Sequence, residues 1–486
     1  MSPGAVDRHR LRGGFGREEI LDLLAAGMAA VDPGRLVGLA LEGDVGAACG
    51  AQGRLVVLSI GKASIRMADA AVESLGEAVV GGVVVAPVGA GPLQQRSARR
   101  LELHLGGHPV PDEGSVGAAK AIERLVGGLA PVDVVLCLLS GGGSALAAAP
   151  IDGLALADLQ RAFELLLASG VPIGEANTVR RHLARLSGGR LARLIPGRVE
   201  TLALSDVPGH RPEAIASGPT VPDPTTFGDA REALRRFDLW AKVPRAVRRE
   251  IERGSRGEIE ETVKPGDPAL ARARFAVIGC GGTFVDAAAS RAAGKRWRVV
   301  RAREPLEGEA RCVGERIGRE LRSLAETAAA PTAWLAAGET TVVVRGSGIG
   351  GRNQEAALAA ALELEGEQGA AVAFLATDGV DGPTDAAGAV VDGDTARRIR
   401  EAGLDGRAAL AANDSHSALR ASGDLLISGP TGTNVADVVV GFIAPREASH
   451  HEPPPTAEAA EDAEMYQAGT VSHPLAALRG SPRGAS

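Results

Sequence analysis

The stretch LCLLSGGGSALAAAP (residues 136–150) is the place from which this chain is best read. A hydrophobic run ends in Ser140, three consecutive glycines (Gly141, Gly142, Gly143) and Ser144, and a small-residue segment follows. The pattern is strand, turn, helix. The glycines let the backbone turn sharply and let a ligand approach its N–H groups unobstructed. A helix beginning here would add partial positive charge at the same spot, so an anion such as phosphate or carboxylate is the natural guest. The alternative is a tight structural turn. The stretch is neither GxGxxG nor GxxxxGK[ST], and motif matching alone does not name the ligand.

Outward from this point the same alternation continues. Strands are expected at 54–60, 80–86, 133–139, 199–204, 274–278, 296–301, 332–337, 340–345, 371–376, 424–427 and 435–442, with Ala/Leu/Arg/Glu-rich helical stretches between many of them. That order predicts α/β layers built on mainly parallel sheets. At 486 residues the chain is too long for one ordinary domain. A boundary is expected in the charged, apolar-poor segment at 253–268, and a disordered tail after about 445. Hydrophobic residues make up 45% but aromatics only 2%, so the cores must be aliphatic.

Net charge is −7 and no basic run is interleaved with aromatics, which argues against a nucleic-acid partner. Four distant cysteines show no metal spacing, no uncharged span reaches 18 residues, and the N-terminus lacks a signal-type apolar core. The expectation is a cytoplasmic protein without a membrane partner.

Other predicted strand ends carry chemistry. Lys62 follows Gly61 directly after an apolar run and opens a helix, where it serves an anion or is simply solvated. Asp206 leaves the strand at 199–204, placed to accept a proton, bind Mg²⁺ or cap a turn. Gly346, Gly348 and Gly351 satisfy GxGxxG, and the next strand ends in Asp378, which together suit a dinucleotide site. Arg345 interrupts the run before the first glycine, and Arg352, Asn353 and Gln354 load the helix start with donors. Two further loops hold Asp378, Asp381 and Asp385, then Asn413, Asp414, Thr431, Thr433, Asn434 and Asp437. These suit a hard cation or a polyol, and equally suit turns. Histidines 104, 108, 182, 210 and 416 are scattered and read as structural. The convergence of phosphate donors with carboxylates is what phosphoryl transfer requires.

The segments GKASIRMADAA, GHPVPDEGS, LLSGGGSAL, EANTVRRHLARLSGGRLA, SDVPG, IASGPTVPD, AAGETTVVVRGSGIGGRNQE, ATDGVDGPTDAAGA and SGPTGTNVAD occur in the order that resembles the class II glycerate kinases, over roughly 16–445. The resemblance implies a Rossmann-like αβα N-terminal domain (16–255, after a flexible 1–15), a smaller α/β C-terminal domain (268–445), an active-site cleft between them, and a disordered tail at 446–486. It implies ATP- and Mg²⁺-dependent phosphorylation of D-glycerate to 2-phosphoglycerate. The family's active-site lysine falls on Lys62, its arginine on Arg352 and its aspartate on Asp206. Residues 140–144 would hold the nucleotide's phosphates. Asp378, Asp381, Asn413, Thr431, Thr433, Asn434 and Asp437 are substrate or Mg²⁺ candidates, and no metal set is assigned. A homodimer stays open. The alternatives are an NAD(P)H-dependent hydroxypyruvate reductase and a non-catalytic sugar-acid binder. The chain departs from the family at Ser187 (usually Lys), His210 (usually Asp), Ala436 (usually Asn), 279–283 and 413–419.

Overall fold

The computed structural model of the chain describes residues 11–49 and 53–446, and two sheets organise them. Most of the expected tail, and residues 1–10 of the expected flexible N-terminus, lie outside the described residues.

The first sheet contains β1 (Leu55–Ile60), β2 (Val79–Pro87), β3 (Leu101–Gly106), β4 (Val134–Leu139), β5 (Arg198–Ser205) and β6 (Ala273–Cys280) in the order β3-β2-β1-β4-β5-β6. All five pairings are parallel. β1 (LVVLSI) and β4 (VVLCLL) are buried at every position because helices cover both faces, which is why neither shows polar alternation. Met67, Ala71 and Val72 of the helix Ser64–Leu75 cover one face. Ala118, Ile122 and Val126 of the helix Glu113–Gly127 cover the other. This is the strand order of doubly wound nucleotide-binding sheets, and its direction reverses between β1 and β4. The loops leaving those two strands therefore run to opposite sides and open a crevice at the sheet's carboxyl edge.

The second sheet contains β7 (Arg298–Arg301), β8 (Thr332–Gly338), β9 (Ala370–Ala376), β10 (Gly388–Asp392), β11 (Leu425–Leu426) and β12 (Asp437–Ile443) in the order β11-β10-β9-β12-β8-β7. Here the expectation of parallel strands fails. Only β7 and β8 are parallel, and the other four pairings are antiparallel. Its faces alternate strictly: Val438 and Val440 join one core, Val439 and Ile443 the other. In the second core, Gly314 of the helix Ala310–Thr327 lies so close to the backbone of Ala356 in the helix Arg352–Glu363 that a Cβ would overlap it. Tight helix approach through small residues replaces aromatic bulk.

The segment 340–345 is no strand. Thr341 makes one isolated bridge with Glu309, and Val343 and Val344 are exposed. β8 already ends at Gly338, and β-branched residues form a strand only where a sheet edge receives them. The expected boundary at 253–268 also shifts. The Val263 N–H donates to the Gly188 carbonyl and its own carbonyl accepts from the Asp223 N–H, Val263 is fully buried, and β6 then completes the first sheet. The crossing to the second sheet comes after Cys280, through the helix Gly281–Gly294.

The chain's start does not stay with the first lobe either. Ile20, Leu23 and Leu24 of the helix Arg17–Ala30 share one continuous core with Val57 and Leu204 of the first sheet and Leu335 and Val440 of the second. Among the described residues no single helix is long and apolar enough to cross a membrane.

Candidate active site

The turns after β1 and β4 interlock at the crevice. The Ser140 N–H donates to the Ile60 carbonyl (3.0 Å), the Lys62 N–H to the Gly141 carbonyl (2.9 Å), and the Ala63 N–H to Ser140 Oγ (3.0 Å). Ser140 is thus spent on holding the two turns together. Gly61 (φ 132°) lies where any Cβ would run into Ser140, and Gly142 takes a left-handed φ of 89°. Among the described residues the N–H groups of Gly141 and Gly142 meet no acceptor, which leaves a bare backbone cradle of the kind that holds anions. The expected helix after the glycines is a single turn, Gly143–Leu146, too short to supply a useful dipole. The longer helix opening beside Lys62, Ser64–Leu75, supplies it instead. Ser144 Oγ lies 2.6 Å from Ser217 Oγ, tying the glycine turn to the turn at 217–220.

The second lobe meets this edge. Lys62 Nζ pairs with Asp378 Oδ2 at 2.6 Å, and Asn434 Nδ2 donates to Asp206 Oδ2 at 2.8 Å. Gly141 has to be glycine, since a Cβ there would overlap both the Asp206 carboxylate and the Asn434 amide. Arg352 opens its helix with Nε and Nη2 on the two oxygens of Asp437 (2.5 and 2.9 Å) and Nη1 on Glu339 Oε1 (3.0 Å). Lys62, Asp206 and Arg352 are therefore brought to one cleft.

The electrostatics follow. Burial pushes the half-buried Asp206 carboxyl up, while the Lys62 ammonium, the Asn434 amide and the Arg352 guanidinium act against that rise. Glu339, paired with Arg352, keeps 42% of its side chain exposed. Burial raises it to about 7, with Asp206 and Asp437 adding repulsion and Arg352 and Lys62 opposing. His108 comes up against Gly142, and desolvation followed by the Lys62 charge lowers it to about 4, so it is neutral at physiological pH.

Two hollows flank this centre. One of about 930 Å³ is lined by Lys62, Ile65, Asp69, Val88, Asp378 and Thr431 among others. The second, about 320 Å³, adjoins Asp206, His210, Gly281, Arg303 and Ala436.

The remaining candidates have different fates. Thr431 Oγ1 donates to the Thr377 carbonyl (2.5 Å) and Thr433 Oγ1 to the Val31 carbonyl (2.9 Å), and both line the larger hollow. Asp437 is committed to Arg352. Asp381 and Asn413 are not brought to the cleft as free ligands. Asp381 receives the N–H groups of Asn353 (3.0 Å) and Gln354 (2.9 Å) and the Gln354 side-chain amide (2.9 Å), capping the Arg352 helix from a distant loop. Asn413 accepts from the Arg345 and Gly346 N–H groups (2.7 and 3.0 Å) and donates to Glu355 (2.9 Å), fixing the loop before that helix. The GxGxxG segment does not follow a strand, so the dinucleotide geometry is absent from it.

Sequence reasoning missed Glu339 and His108. Both lie inside motifs already singled out, AAGETTVVVR and GHPVPDEGS, but neither residue type announces a role without its neighbours.

Among the described residues no group of three His, Cys, Asp or Glu side chains is arranged to hold a metal ion by itself. Asp206 and Glu339 nevertheless present hard carboxylate oxygens, which suits a cation that completes its shell with phosphate and water.

Two departures from the family, His210 and Ala436, both take positive φ (51° and 74°). Asparagine, aspartate and histidine tolerate that region better than other non-glycine residues, so the strain falls on Ala436. Ala436→Asn is therefore expected to stabilise the protein by about 1 kcal/mol, read as a raised urea midpoint, because the adjoining hollow leaves room for the longer side chain. An unchanged or lowered midpoint would contradict this account of the strain.

A doubly wound lobe with a bare glycine cradle and a lysine at its switch point, faced by a second α/β lobe bearing carboxylates and a guanidinium, defines a two-lobed protein built to handle anions. Residues 19–252 match the domain of unknown function DUF4147, and residues 332–437 match the MOFRL family. A glycerate 2-kinase of Pyrococcus horikoshii is 42% identical over 81% of this chain and 88% of its own length. A D-glycerate 2-kinase of Thermotoga maritima is 42% identical over 80% and 91%. The crystal structure of a Thermotoga maritima glycerate kinase superposes with a TM-score of 0.75 at 39% identity, covering 88% of this chain and all of that one. A protein of Agrobacterium vitis named putative hydroxypyruvate reductase is 41% identical over 80% of this chain and 86% of its own. The chain belongs to the glycerate kinase family.

Proposed function

We propose that the chain is a kinase that transfers the γ-phosphoryl group of ATP to the 2-hydroxyl of D-glycerate. The observation that carries this reading is convergence: Lys62, from the end of β1, pairs with Asp378, and Asp206 accepts from Asn434, while Arg352 of the second lobe opens its helix on Asp437 and Glu339. A lysine and an arginine on opposite walls of one cleft are what a transferring phosphoryl group requires, since its chemistry depends on positioning and charge stabilisation.

In this reading the nucleoside lies in the 930 Å³ hollow, which is within the size range of ligand pockets. Its phosphates run past Lys62 to the Gly141 and Gly142 amides. The hydroxy acid lies on the Asp206 side, and Asp206 accepts the hydroxyl proton. Glu339 would contribute to holding Mg²⁺, which would neutralise charge on the phosphate oxygens when bound. Arg352, already gripped by Asp437 and Glu339, acts as a fixed positive charge toward the transferring group. The hydroxypyruvate reductase alternative loses its footing with the strandless GxGxxG segment.

The test is ADP release by purified protein with ATP, Mg²⁺ and D-glycerate, followed by phosphorus NMR of the product. The expected result is glycerate-dependent ADP and a phosphate on the secondary hydroxyl, with no NADH or NADPH consumed on hydroxypyruvate. ADP formation no greater than the glycerate-free background would overturn the reading.

A further inference from the structure

The helix Ile173–Leu183 carries two adjacent arginines with opposite fates. Arg181 has a counter-charge: Nε lies 3.0 Å from Asp223 Oδ1, Nη1 donates to the Glu213 carbonyl (3.1 Å) and Nη2 to Thr178 and Thr225. Arg180 does not. It is only 8% exposed, and no carboxylate lies within ion-pair distance of it among the described residues. Its one hydrogen bond is from Nη1 to Asn177 Oδ1 (3.3 Å), its buried Nε has no partner, and the guanidinium lies 4.9 Å from the Phe163 ring centroid. Burial lowers it to about 10, which still leaves it charged at neutral pH. A buried charge without a counter-charge is costly, and a fold retains one where a ligand completes it.

The surroundings of Arg180 bear on the ligand. Asn177, which holds Arg180, donates to the Ala214 carbonyl at 3.4 Å. The turn that follows presses Ala216 against Gly143 and bonds Ser217 to Ser144. On the near side, His108 touches the glycine turn and feels the charges of both Lys62 and Arg180. Lys62 is already matched by Asp378 and Arg352 by Asp437 and Glu339, while Arg303 at the second hollow is exposed to solvent. A small hydroxy acid brings one carboxylate, and Arg180, tied through Asn177 to the segment that packs on the glycine turn, is a buried cation without a counter-charge among the described residues.

We infer that Arg180 is the receptor for the carboxylate of the hydroxy-acid substrate, and that Asn177 and Phe163 hold its guanidinium in place. The inference rests on the kinase reading and names which residue recognises the acid.

It is tested with Arg180→Gln and Arg180→Lys in the full chain. In Arg180→Gln the KM for D-glycerate is expected to rise at least 30-fold while the KM for ATP moves less than threefold, and Arg180→Lys recovers part of the loss. Glycerol, which lacks the carboxylate, serves as the probe of recognition. The ratio of kcat/KM for D-glycerate over glycerol should fall at least tenfold in Arg180→Gln. The thermal midpoint of ligand-free Arg180→Gln should equal or exceed that of the unaltered protein, because an uncompensated buried charge has been removed. A raised KM for ATP with an unchanged KM for glycerate would make Arg180 a phosphate contact and overturn the inference. A fallen midpoint with both KM values unchanged, or loss of folding in both variants, would make it structural and overturn it equally. Failure of the kinase reading is separately visible, as absence of ADP from the unaltered protein.

Discussion

Replacing Asp206 by asparagine is expected to lower kcat for phosphoryl transfer about 1,000-fold, within the range that removal of a positioned general base costs. The same change should leave the protein at least as stable as before. Asparagine preserves the shape of the side chain, so the oxygen that accepts from Asn434 Nδ2 remains available. What disappears is the ability to take a proton. Burial holds the Asp206 carboxyl above its ordinary value of 3.8, against the pull of Lys62, Asn434 and Arg352. A raised value makes the carboxylate a stronger base, and it also moves the acid limb of the pH–rate profile above the usual aspartate range. Activity falls as pH drops through that raised value, because the protonated form cannot accept the hydroxyl proton. In Asp206→Asn the limb should flatten. The stability argument has the opposite sign. An aspartate whose folded pKa is raised penalises the native state as pH climbs from 3.8 through the higher value, so removing the charge lifts the thermal midpoint at neutral pH. A kcat within threefold of the unaltered enzyme, or an acid limb that persists in the variant, would show that Asp206 is not the proton acceptor.

The parts of this site that could be read in advance share one property: they lie at the end of a buried strand. Gly141–Gly143 and Lys62 follow runs whose every residue is buried, and such runs are recognisable because both sheet faces are covered. Asp206 leaves β5 in the same manner. The misreadings arise where meaning depends on partners far along the chain. Asp381 and Asn413 resembled ligand carboxylate and amide groups until the Arg352 helix and the 343–346 loop were seen to consume their hydrogen bonds. Val342–Val344 had the composition of a strand but no sheet edge to join. The antiparallel second sheet escaped notice because its strands alternate with helices as in a parallel sheet: the helix Ala310–Thr327 does cross between the parallel β7 and β8, but β12 returns to lie antiparallel between β8 and β9. The domain boundary escaped for a related reason. The charged, apolar-poor segment 253–268 suggested a linker, while Val263 within it is buried and donates its N–H to the Gly188 carbonyl.

Arg17→Met is expected to destabilise the protein by about 3–5 kcal/mol, the cost of removing one partner from a buried ion cluster. Arg17, 3% exposed near the start of the described chain, places Nη2 3.1 Å from Asp392 Oδ2 and 2.5 Å from Asp424 Oδ1. Arg398 Nη2 reaches the same two carboxylates at 2.9 Å each. Two guanidinium groups balance two carboxylates in a place where water cannot replace either. Methionine fills the volume but leaves one positive charge for two negative ones. Burial alone would raise Asp392, yet Arg17 and then Arg398 pull it below its ordinary 3.8. A depressed aspartate contributes stability above its unfolded value and loses it as pH falls through the folded one. The deficit of Arg17→Met should therefore be full at neutral pH and narrow on acidification toward 3.8, as Asp392 takes up a proton. The double variant Arg17→Met/Asp392→Asn, balanced again at one charge of each sign, should regain most of the loss in urea denaturation. Because Ile20, Leu23 and Leu24 on the same helix seal a core shared by both sheets, the deficit should appear as one earlier unfolding transition rather than as loss of the second lobe alone. A change under 1 kcal/mol, or no recovery in the double variant, would mean the cluster is dispensable and that the apolar face of the helix alone fastens the chain's start to the second sheet.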